Sequence, residues 1–560
     1  MRVARMVGVV GLAIVISDQP CPGQRLTPLE LYDAKNRSVE LVQSANVDSA
    51  LALLRRIAPL DSTDAYLWRR YARVAATKRQ YVEAARAFEH AYYLGVFGPA
   101  LTSVDIARQY ANAGRLSLAL DWLERAARHA LPRLQNLSTD TSFVQLRDSV
   151  RFKALYTRGD TARATRAKRW AADLDFFLRE AQRMHVHPER PAFSRGFIDT
   201  IAALKSRIAN STDLQMIAGL RRASAMLRDG HSGLAVEPKN GMRSLPIDLY
   251  IFSDGVFVIR GLAGHEKWVG HKVMAIGNRP IAAVLKAAAA YVPHDNPVGL
   301  LAWLPAAMTA VPYLQEMGLA DGEGNVTITL QDGRGEQTSV RLPPGEFRGV
   351  EGLLPPQLPG VAVPLYLRNR DSLFWFTELP AAQALFVGFN GVGNSAKETL
   401  EAFSRRLIEQ LRNPGIRNLI VDVRNNGGGN SFLLPPLIQA VTHFAAEDTA
   451  HKLFVLTGRH TFSAAQNFVS KLEWLLNVTF AGEPTGSSPN FTGESTPTLL
   501  PYSGLRVVIS NRVHMNSDWE DRRLWISPQL AVPLSSEQYF RGEDPVLEAV
   551  IALIQRKPRT

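Results

Sequence analysis

Cysteine is almost absent from this chain of 560 residues, which has a single one at position 21. A disulfide bond needs two cysteines, and thiolate metal sites usually use more than one. Cys21 also lies within the first 23 residues, which have the pattern of a cleaved leader. The rest of the chain therefore has no disulfide framework and no cysteine ligand, so an oxidising compartment does not affect it.

The N-terminal apolar run, from Met6 to Ile16, is too short to span a bilayer as a helix. Basic residues precede this run and a polar stretch follows it, which is the pattern of a secretory signal peptide. Small residues at 21 and 23 suit cleavage after Gly23, whereas the Asp-Gln-Pro at 18–20 does not suit a lipoprotein signal. The sequence predicts a signal peptide over 1–23 and a periplasmic or secreted protein without a stable membrane anchor.

Massed charge is also missing, although the formal net charge is +12 and indicates affinity for acidic surfaces. The basic residues are scattered, and their densest stretch is 157–170. Because no basic patch is interleaved with aromatic residues, we expect no nucleic-acid partner.

Histidines do not cluster with other metal ligands. His185 and His187 precede a proline, and His460 and His514 stand alone, without carboxylates or cysteines at ligand spacing. We therefore expect no metal and no other cofactor.

Residues 27–156 contain an internal helical repeat. Ala72, Ala84, Phe88 and Ala91 recur 35 positions later as Ala107, Ala119, Leu123 and Ala126, and Ala50 and Leu54 belong to a weaker copy that precedes them. The pattern resembles the tetratricopeptide repeat, in which small residues let paired helices approach. A plain helical bundle is the alternative, and either structure offers a surface for a partner protein but no catalytic chemistry.

Two further regions precede the C-terminal part of the chain. Residues 167–240 have helical patterns that end at RDGHSGL, and 241–345 have strand patterns with a loose likeness to a PDZ domain. A proline-rich stretch, LLPPQLPGVAVP, marks the next boundary. Residues 365–560 then alternate strand and helix patterns, which predicts βαβ units and a mostly parallel sheet. The fold class is therefore multidomain α + α/β.

Ser463 lies where the apolar run KLFVL gives way to a helical pattern. Ser463 and Gln466 fit a capping box, which is a structural role found at many helix starts. The same position suits a nucleophile, because free amides and the helix dipole stabilise a developing oxyanion. The tetrapeptide alone leaves both interpretations open.

Three glycines, at 427–429, follow the preceding predicted strand. They are consistent with a flexible turn, but they would also let backbone amides approach a substrate carbonyl. Gly428 would then supply one half of an oxyanion hole and the amide of Ala464 the other half. Both loops are expected at the carboxyl edge of one sheet, where reactive groups gather.

Three motifs, VDVRNNGGGN, TGRHTFSAAQNF and AGEPTGSSPN, follow one another in the chain. Their order and spacing resemble the tail-specific (C-terminal processing) serine peptidase family and its tricorn-type relatives. The resemblance spans about 170–554 and is strongest from Leu385 onward. It implies a catalytic domain with a ClpP/crotonase-like core, in which Ser463 is the nucleophile and the two amides named above form the oxyanion hole.

The catalytic lysine of the bacterial members is missing, because Ser487 and Ser488 stand in its place. Tricorn-type members draw a histidine from the preceding helical region, and His231 holds that position here. Imidazole titrates near neutrality and can accept the serine proton and return it to a leaving amine. Those members have a serine just before the histidine, whereas Gly230 stands there in this chain, so the orienting partner is open.

A carboxylate to hold the imidazole is sought among three residues. Glu494, placed in the loop after the strand next to the nucleophile, is the first choice, and Asp521 and Glu483 are the alternatives. Each of them is also compatible with a solvated or structural role. Gln466 can form hydrogen bonds but cannot act as a base.

The motifs favour an exported serine peptidase that acts on protein or peptide substrates, and the repeats would recruit a partner or substrate. A non-catalytic binding protein on the same scaffold is the alternative, since a fold does not fix function. The two hypotheses differ in whether His231 reaches Ser463 and whether a carboxylate supports it. A third possibility, in which the repeats carry the function, leaves the glycines beside the serine without a purpose.

Overall fold

The computed structural model describes residues 26–96, 98–128, 131, 134–156, 164–235, 240–262, 264–347 and 352–556. The chain divides into two compact units, residues 1–157 and 158–560. The predicted signal peptide lies outside the described residues, and so does half of the basic stretch 157–170. No helix in the described ranges combines the length and hydropathy required to cross a membrane.

The first unit is built from helices that pack in sequence order. The helices are α1 (Pro28–Gln43), α2 (Val47–Ile57), α3 (Ala65–Thr77), α4 (Tyr81–Tyr93), α5 (Pro99–Asn112), α6 (Leu116–Arg128) and α7 (Val150–Tyr156). The repeated small and large residues at 72, 84, 88 and 91, and at 107, 119, 123 and 126, are at most 3% exposed. The predicted helical array is confirmed, while its assignment to the tetratricopeptide class stays a prediction.

The second unit is mixed α/β and begins with helices. They are α8 (Arg166–Met184), α9 (Arg195–Ser206) and α10 (Asp213–Ala225). A five-stranded antiparallel path follows, in the order β3-β4-β5-β7-β8, with β6 paired to β5. The strands of this region are β1 (Gly233–Ala235), β2 (Arg243–Ser244), β3 (Ile247–Phe252), β4 (Gly255–Gly261), β5 (Lys272–Ile276), β6 (Arg279–Pro280), β7 (Val326–Gln331), β8 (Gln337–Leu342) and β9 (Gly345–Glu346).

Three α-helices lie among the described residues of the region that the sequence predicts to be β-rich. They are α11 (Ile281–Ala288), α12 (Pro297–Thr309) and α13 (Val311–Glu316). Pro297 and Pro312 lie in the first turns of α12 and α13, where a missing backbone N–H costs nothing. Asn296 caps α12 with its side chain, which accepts from Gly299 N.

The C-terminal part contains a six-stranded sheet in the order β10-β11-β12-β13-β14-β17. Only β10 runs antiparallel to its neighbour. The elements are β10 (Phe374–Leu379), β11 (Ala384–Phe389), α14 (Leu400–Leu411), β12 (Asn418–Asp422), α15 (Pro435–Glu447), β13 (Lys452–Thr457), α16 (Ala464–Leu475), β14 (Val478–Gly482), β15 (Asn490–Leu499), β16 (Arg506–Met515), β17 (Leu530–Ala531), α17 (Ser536–Phe540) and α18 (Pro545–Gln555).

Both faces of this sheet are covered, as its continuous apolar strands predict. Alternate residues of each strand enter opposite clusters: Leu419 and Val421 pack with α14, α15 and α16, whereas Ile420 packs with α18. The predicted βαβ order and mostly parallel sheet are confirmed. The loops after β12 and β13 therefore meet at one edge of the sheet.

A small separate sheet joins distant parts of the unit. Strand β1 pairs antiparallel with β16, and β16 pairs with β15. Because β1 begins two residues after His231, this pairing carries the histidine turn to the C-terminal hairpin. Pairing over such a sequence distance leaves no local pattern, so the sequence did not predict it.

Candidate active site

Ser463 lies between β13 and α16, as the sequence predicts, but its backbone is unusual. Its φ of 56° and ψ of −121° lie in a region that residues with a Cβ rarely occupy, at a cost of about 1–3 kcal/mol. Its side chain makes no capping hydrogen bond, so the predicted capping box is wrong. Gln466 instead donates from Nε2 to Ser470 Oγ over 3.1 Å. Ser463 Oγ is therefore not committed to the helix.

Hydrogen bonds to the neighbouring loop hold this strained turn. Thr461 Oγ1 donates to Val423 O over 2.9 Å and accepts from Gly458 N over 3.1 Å. Phe462 N donates to Asn426 O over 3.1 Å. The loop that follows β13 is thus fixed to the loop that follows β12. Strain of this kind persists only where the surroundings over-determine it.

The predicted oxyanion residues lie against Ser463. A Cβ added at Gly428 would come within 2.6 Å of Ser463 Cβ and 2.9 Å of Ala464 N, and Gly428 has a φ of 105°. No other residue type fits this approach without displacing the nucleophile. In the structure Gly428 N donates to Asn426 Oδ1 over 3.0 Å. That amide can reach an oxyanion only by giving up or sharing this bond.

His231 belongs to a stack of four rings beside the nucleophile loop. Its ring stacks on Phe462 with centroids 4.4 Å apart and on Phe491 with centroids 5.3 Å apart. Phe491 in turn stacks on His514 at 4.7 Å. Because Phe462 directly precedes Ser463, the stack brings the predicted base next to the predicted nucleophile. The two do not share a hydrogen bond in this conformation.

The backbone of the His231 turn is held by a buried carboxylate, Asp229. Its Oδ1 accepts from His231 N over 2.9 Å and from Ser232 N over 2.5 Å, and Ser510 Oγ donates to it over 2.8 Å. Its Oδ2 lies 2.6 Å from His185 Nε2. Burial opposes ionisation, but these hydrogen bonds keep the pKa of Asp229 below its usual value.

Asp229 is not among the predicted site residues, although a signal for it exists. An acidic residue two positions before a histidine, with glycine between them, is typical of an Asx turn. The pair with His185 does not make a metal site. In the part of the chain that the structure describes, no group of three or more His, Cys, Asp or Glu residues could hold a metal ion.

The surroundings of His231 favour its neutral imidazole, the form that a general base requires. Burial lowers its pKa, and the charges of Asp229 and Glu494 and a hydrogen bond to the Thr492 backbone oppose this shift without cancelling it. Its Nδ1 is buried and has no hydrogen-bond partner. The imidazole therefore has one nitrogen that is not committed to any protein group.

Glu494, the first choice for the orienting carboxylate, lies within β15 and not in a loop as predicted. Its Oε1 is 3.7 Å from His514 Nε2, its side chain is 52% exposed, and it makes no hydrogen bond to His231. Its φ of 53° marks an irregularity in the strand. The charge of Glu494 is close enough to raise the pKa of His231, but the residue does not hold the ring.

The two alternative carboxylates are paired with arginines. Asp521 forms an ion pair with Arg523 over 2.8 Å, and hydrogen bonding to that guanidinium lowers the pKa of Asp521. Glu483 pairs with Arg459, which keeps the pKa of that carboxylate low despite burial. Neither is free to orient His231 in this conformation.

Ser487 and Ser488, which stand where the sequence resemblance expects a lysine, have structural partners. Ser487 is buried and its hydroxyl donates to Asp295, while Ser488 Oγ donates to Leu524 O over 2.9 Å. A serine hydroxyl is not a base at neutral pH. The candidate base is therefore His231, whose ring stacks on Phe462 beside Ser463, and not a residue of this loop.

A groove of about 730 Å³ opens beside the glycine loop. Leu434, Pro435 and Ile438 of the α15 segment are apolar residues that line it, and Phe432, which also lines it, is 84% exposed. Asn467, one turn into α16, also lines it. The other lining residues are Gly429, Asn430, Ser431, Gln439, Lys471, Glu494, Arg512, His514 and Asn516.

The fold matches solved peptidase structures, whereas protein-family models and curated protein sequences yield no match. Mature CPAF complexed with lactacystin is 14% identical with a TM-score of 0.51, and the match covers 69% of this chain and 98% of CPAF. A serine-to-alanine mutant of CPAF is 12% identical with a TM-score of 0.51, and the match covers 70% of this chain and 99% of the mutant. The photosystem II D1 C-terminal processing protease is 16% identical at a TM-score of 0.34, covering 69% and 98%. At these identities the CPAF matches establish a shared fold.

Proposed function

We propose that this protein is a serine peptidase with Ser463 as nucleophile and His231 as base. The observation that carries the proposal is the strained backbone of Ser463, pressed against Gly428 and lying one residue from the ring that stacks on His231. Residues in sparsely populated conformations cluster at active sites. The fold shared with CPAF supports the same conclusion.

The chemistry follows from the residues present. Ser463 Oγ attacks the peptide carbonyl carbon while its proton passes to a ring nitrogen of His231, and the amides of Gly428 and Ala464 stabilise the oxyanion. The imidazolium then protonates the amine, the C–N bond breaks, and an acyl-enzyme remains on Ser463. Water, deprotonated by His231, releases the second product. Gly428 N would exchange its bond to Asn426 for the oxyanion as substrate binds.

The groove beside Gly429 supports an extended peptide segment as substrate. Apolar residues of the α15 segment and polar groups on α16 and the β15–β16 hairpin line it, as a site that fixes a chain and accepts an apolar side chain requires. Its position next to the glycine loop suits a peptide whose carbonyl points at Ser463. An open groove also suits unfolded chain ends better than folded surfaces.

Three finer parts of the proposal rest on the sequence. Export rests on the N-terminal segment 1–23, and membership of the tail-specific family with a tricorn-type histidine rests on the motifs around Ser463 and His231. Recruitment of a partner or substrate protein rests on the helical repeats. Because tricorn-type members use a histidine, the absence of a lysine at Ser487 and Ser488 is compatible with that branch.

Labelling by a fluorophosphonate probe tests the proposal directly, with Ser463→Ala and His231→Ala beside the wild type. We expect the wild type to be labelled, the first variant to remain unlabelled, and the second to label at least about 100-fold more slowly. Ser470→Ala is the matched control, because Ser470 is buried in the same helix and its hydroxyl accepts from Gln466. A folded wild type that stays unlabelled would reject the proposal.

A binding protein without catalysis is the second candidate, and one observation favours it. Ser463 Oγ and His231 share no hydrogen bond, and no carboxylate holds the histidine ring. Catalytic hydrogen bonds in ligand-free sites often tighten only when substrate binds, which is why we prefer the peptidase. Peptide binding that is unaffected by Ser463→Ala, without turnover by the wild type, would favour this candidate.

A further inference from the structure

A second carboxylate, Asp295, also bonds to the histidine turn that Asp229 holds. Asp295 lies in the loop before α12, and its Oδ1 accepts from Gly230 N over 2.6 Å. Its Oδ2 accepts from the hydroxyl of Ser487. Neither of these bonds is local, since Asp295 is 65 residues from Gly230 and 192 residues from Ser487.

Gly230 leaves little room for the turn to move. A Cβ at this position would lie 2.7 Å from the Phe462 ring and 3.3 Å from Asp295 Oδ1. The backbone of Gly230 is therefore in close contact with both Asp295 and Phe462 of the nucleophile loop. Any shift of the Asp295 carboxylate would change where His231 stands relative to Ser463.

Ser487, the second partner of Asp295, lies next to a residue that bonds to the nucleophile loop. Gly486 N, beside Ser487, donates to Thr461 O over 3.1 Å, and Thr461 lies two residues before Ser463. Asn296 reinforces this segment, because its Nδ2 donates to Thr485 O over 3.2 Å. Hydrogen bonds thus link the turn of the base to Asp295 and Asp295 to Ser487, and Gly486, the residue before Ser487, bonds to the loop of the nucleophile.

We propose that Asp295 is a positioning residue that sets the separation of His231 and Ser463 through its bonds to Gly230 N and Ser487 Oγ. The inference rests on the proposed peptidase function. The serine that replaces the family's lysine would then position the base instead of acting as one. An ionised carboxylate suits the role best, because both of its partners are donors.

Charges around Asp295 make its contribution sensitive to pH. Burial raises the pKa of Asp295 to about 7, bonds from Ser487 and Gly230 oppose this shift, the negative charge of Asp229 adds to it, and His294 opposes it. Asp295 also faces a cavity of about 410 Å³. The other ionisable residues lining that cavity are His187, Glu189, Arg228, Asp521, Arg522 and Arg523.

The test compares Asp295→Ala, Asp295→Asn and Ser487→Ala in the full chain. Asn keeps an acceptor for Gly230 N and can donate to Ser487 Oγ, so it should restore most of what Ala loses. We expect Asp295→Ala to slow fluorophosphonate labelling about 10- to 100-fold and to lower kcat for a peptide substrate with little change in KM. Ser487→Ala should move the midpoint of the pH profile of the labelling rate to higher pH, because the bond from Ser487 lowers the pKa of Asp295.

Asp254→Asn is the matched control, because Asp254 also accepts from a backbone N–H and a serine hydroxyl, both of Ser536, away from the site. The inference would be overturned if Asp295→Ala slows labelling no more than Asp254→Asn does. It would also be overturned if Asp295→Ala changes KM and kcat together. If the wild type does not label, NMR titration of the His231 ring decides. An unchanged His231 titration in folded Asp295→Ala would also reject the positioning role.

Discussion

The proposed nucleophile, Ser463, is held by the loop of the adjacent strand, 38 residues away in sequence, whereas the turn of the proposed base, His231, is held by bonds that span up to 281 residues. The loop of Ser463 is bonded to the loop that follows the adjacent strand, through Asn426 and Val423. The His231 turn depends on Asp229 within the turn and on more distant residues. These are His185, Asp295, Phe491 and Ser510.

The site therefore has two halves that differ in rigidity. The nucleophile half is the Ser463 loop with its neighbouring loop and is rigid, and the base half is the His231 turn with its partners and is adjustable. Two parallel strands and their loops fix the nucleophile, and such a unit tolerates little change. The base turn is secured by two carboxylates and a ring stack, whose strength varies with protonation and packing. Substitutions in the first half should abolish activity, and substitutions in the second should tune it.

The largest expected effect is that of Gly428→Ala. The added Cβ would clash with Ser463 Cβ and Ala464 N, and φ of 105° is strained for alanine. We expect labelling to fall at least about 1,000-fold, since both the nucleophile and an oxyanion donor are displaced. Gly427→Ala is the control: nothing lies within 4 Å of its Cβ, so labelling should stay within about threefold of wild type. Equal losses of labelling in Gly428→Ala and Gly427→Ala would contradict the role of Gly428.

His185→Ala should produce the largest loss in the base half, and chiefly in stability. It removes the partner of Asp229 Oδ2 and leaves a buried carboxylate short of one bond, at a cost of about 3–5 kcal/mol. Because the pKa of Asp229 is lowered in the folded protein, its contribution is present at neutral pH and is lost as pH falls below about 4. Chemical denaturation at pH 7 and pH 3 measures the free energy of unfolding of both proteins. The difference in this free energy between wild type and His185→Ala should be smaller at pH 3.

The elements of the nucleophile half could be predicted because each one leaves a local pattern. The strands around 418–422 and 452–457 are continuous apolar runs, and the glycines and Ser463 follow them directly. The capping box failed because a capping serine and a strained nucleophile occupy the same place in sequence. Only the backbone angles of Ser463 distinguish them.

The supports of the base half could not be predicted because they arise from tertiary packing. His231 was found through a resemblance, but pairing of β1 with β16 and the bond from Gly230 to Asp295 join segments that share no period. Glu494 was chosen because it was expected in the loop after the strand next to the nucleophile, whereas it lies within a strand of the β15–β16 hairpin, near His514. Hydrogen-bond partners of this kind become visible only in three dimensions.

Asp295→Asn should change the pH dependence of stability more than stability itself. The raised pKa means that the folded protein loses stability as pH rises from about 4 to about 7, by up to about 4 kcal/mol. The variant, which does not ionise, should match the wild type near pH 4 and exceed it at pH 8. Asp254→Asn should do the opposite at pH 8, because the pKa of Asp254 is lowered. Thermal melts at the two pH values provide the comparison.

The smallest effect is expected from Glu494→Gln, and it decides whether the base half has an orienting carboxylate at all. Glu494 raises the pKa of His231 only through its charge, and its exposed pair with His514 contributes less than about 1 kcal/mol. Labelling should therefore fall less than about threefold, and the acid limb of the pH profile should move slightly downward. Where a carboxylate holds the catalytic imidazole, its loss costs about 10,000-fold. A loss above about 100-fold would show that Glu494 turns to His231 when substrate binds, and that both halves close around the substrate.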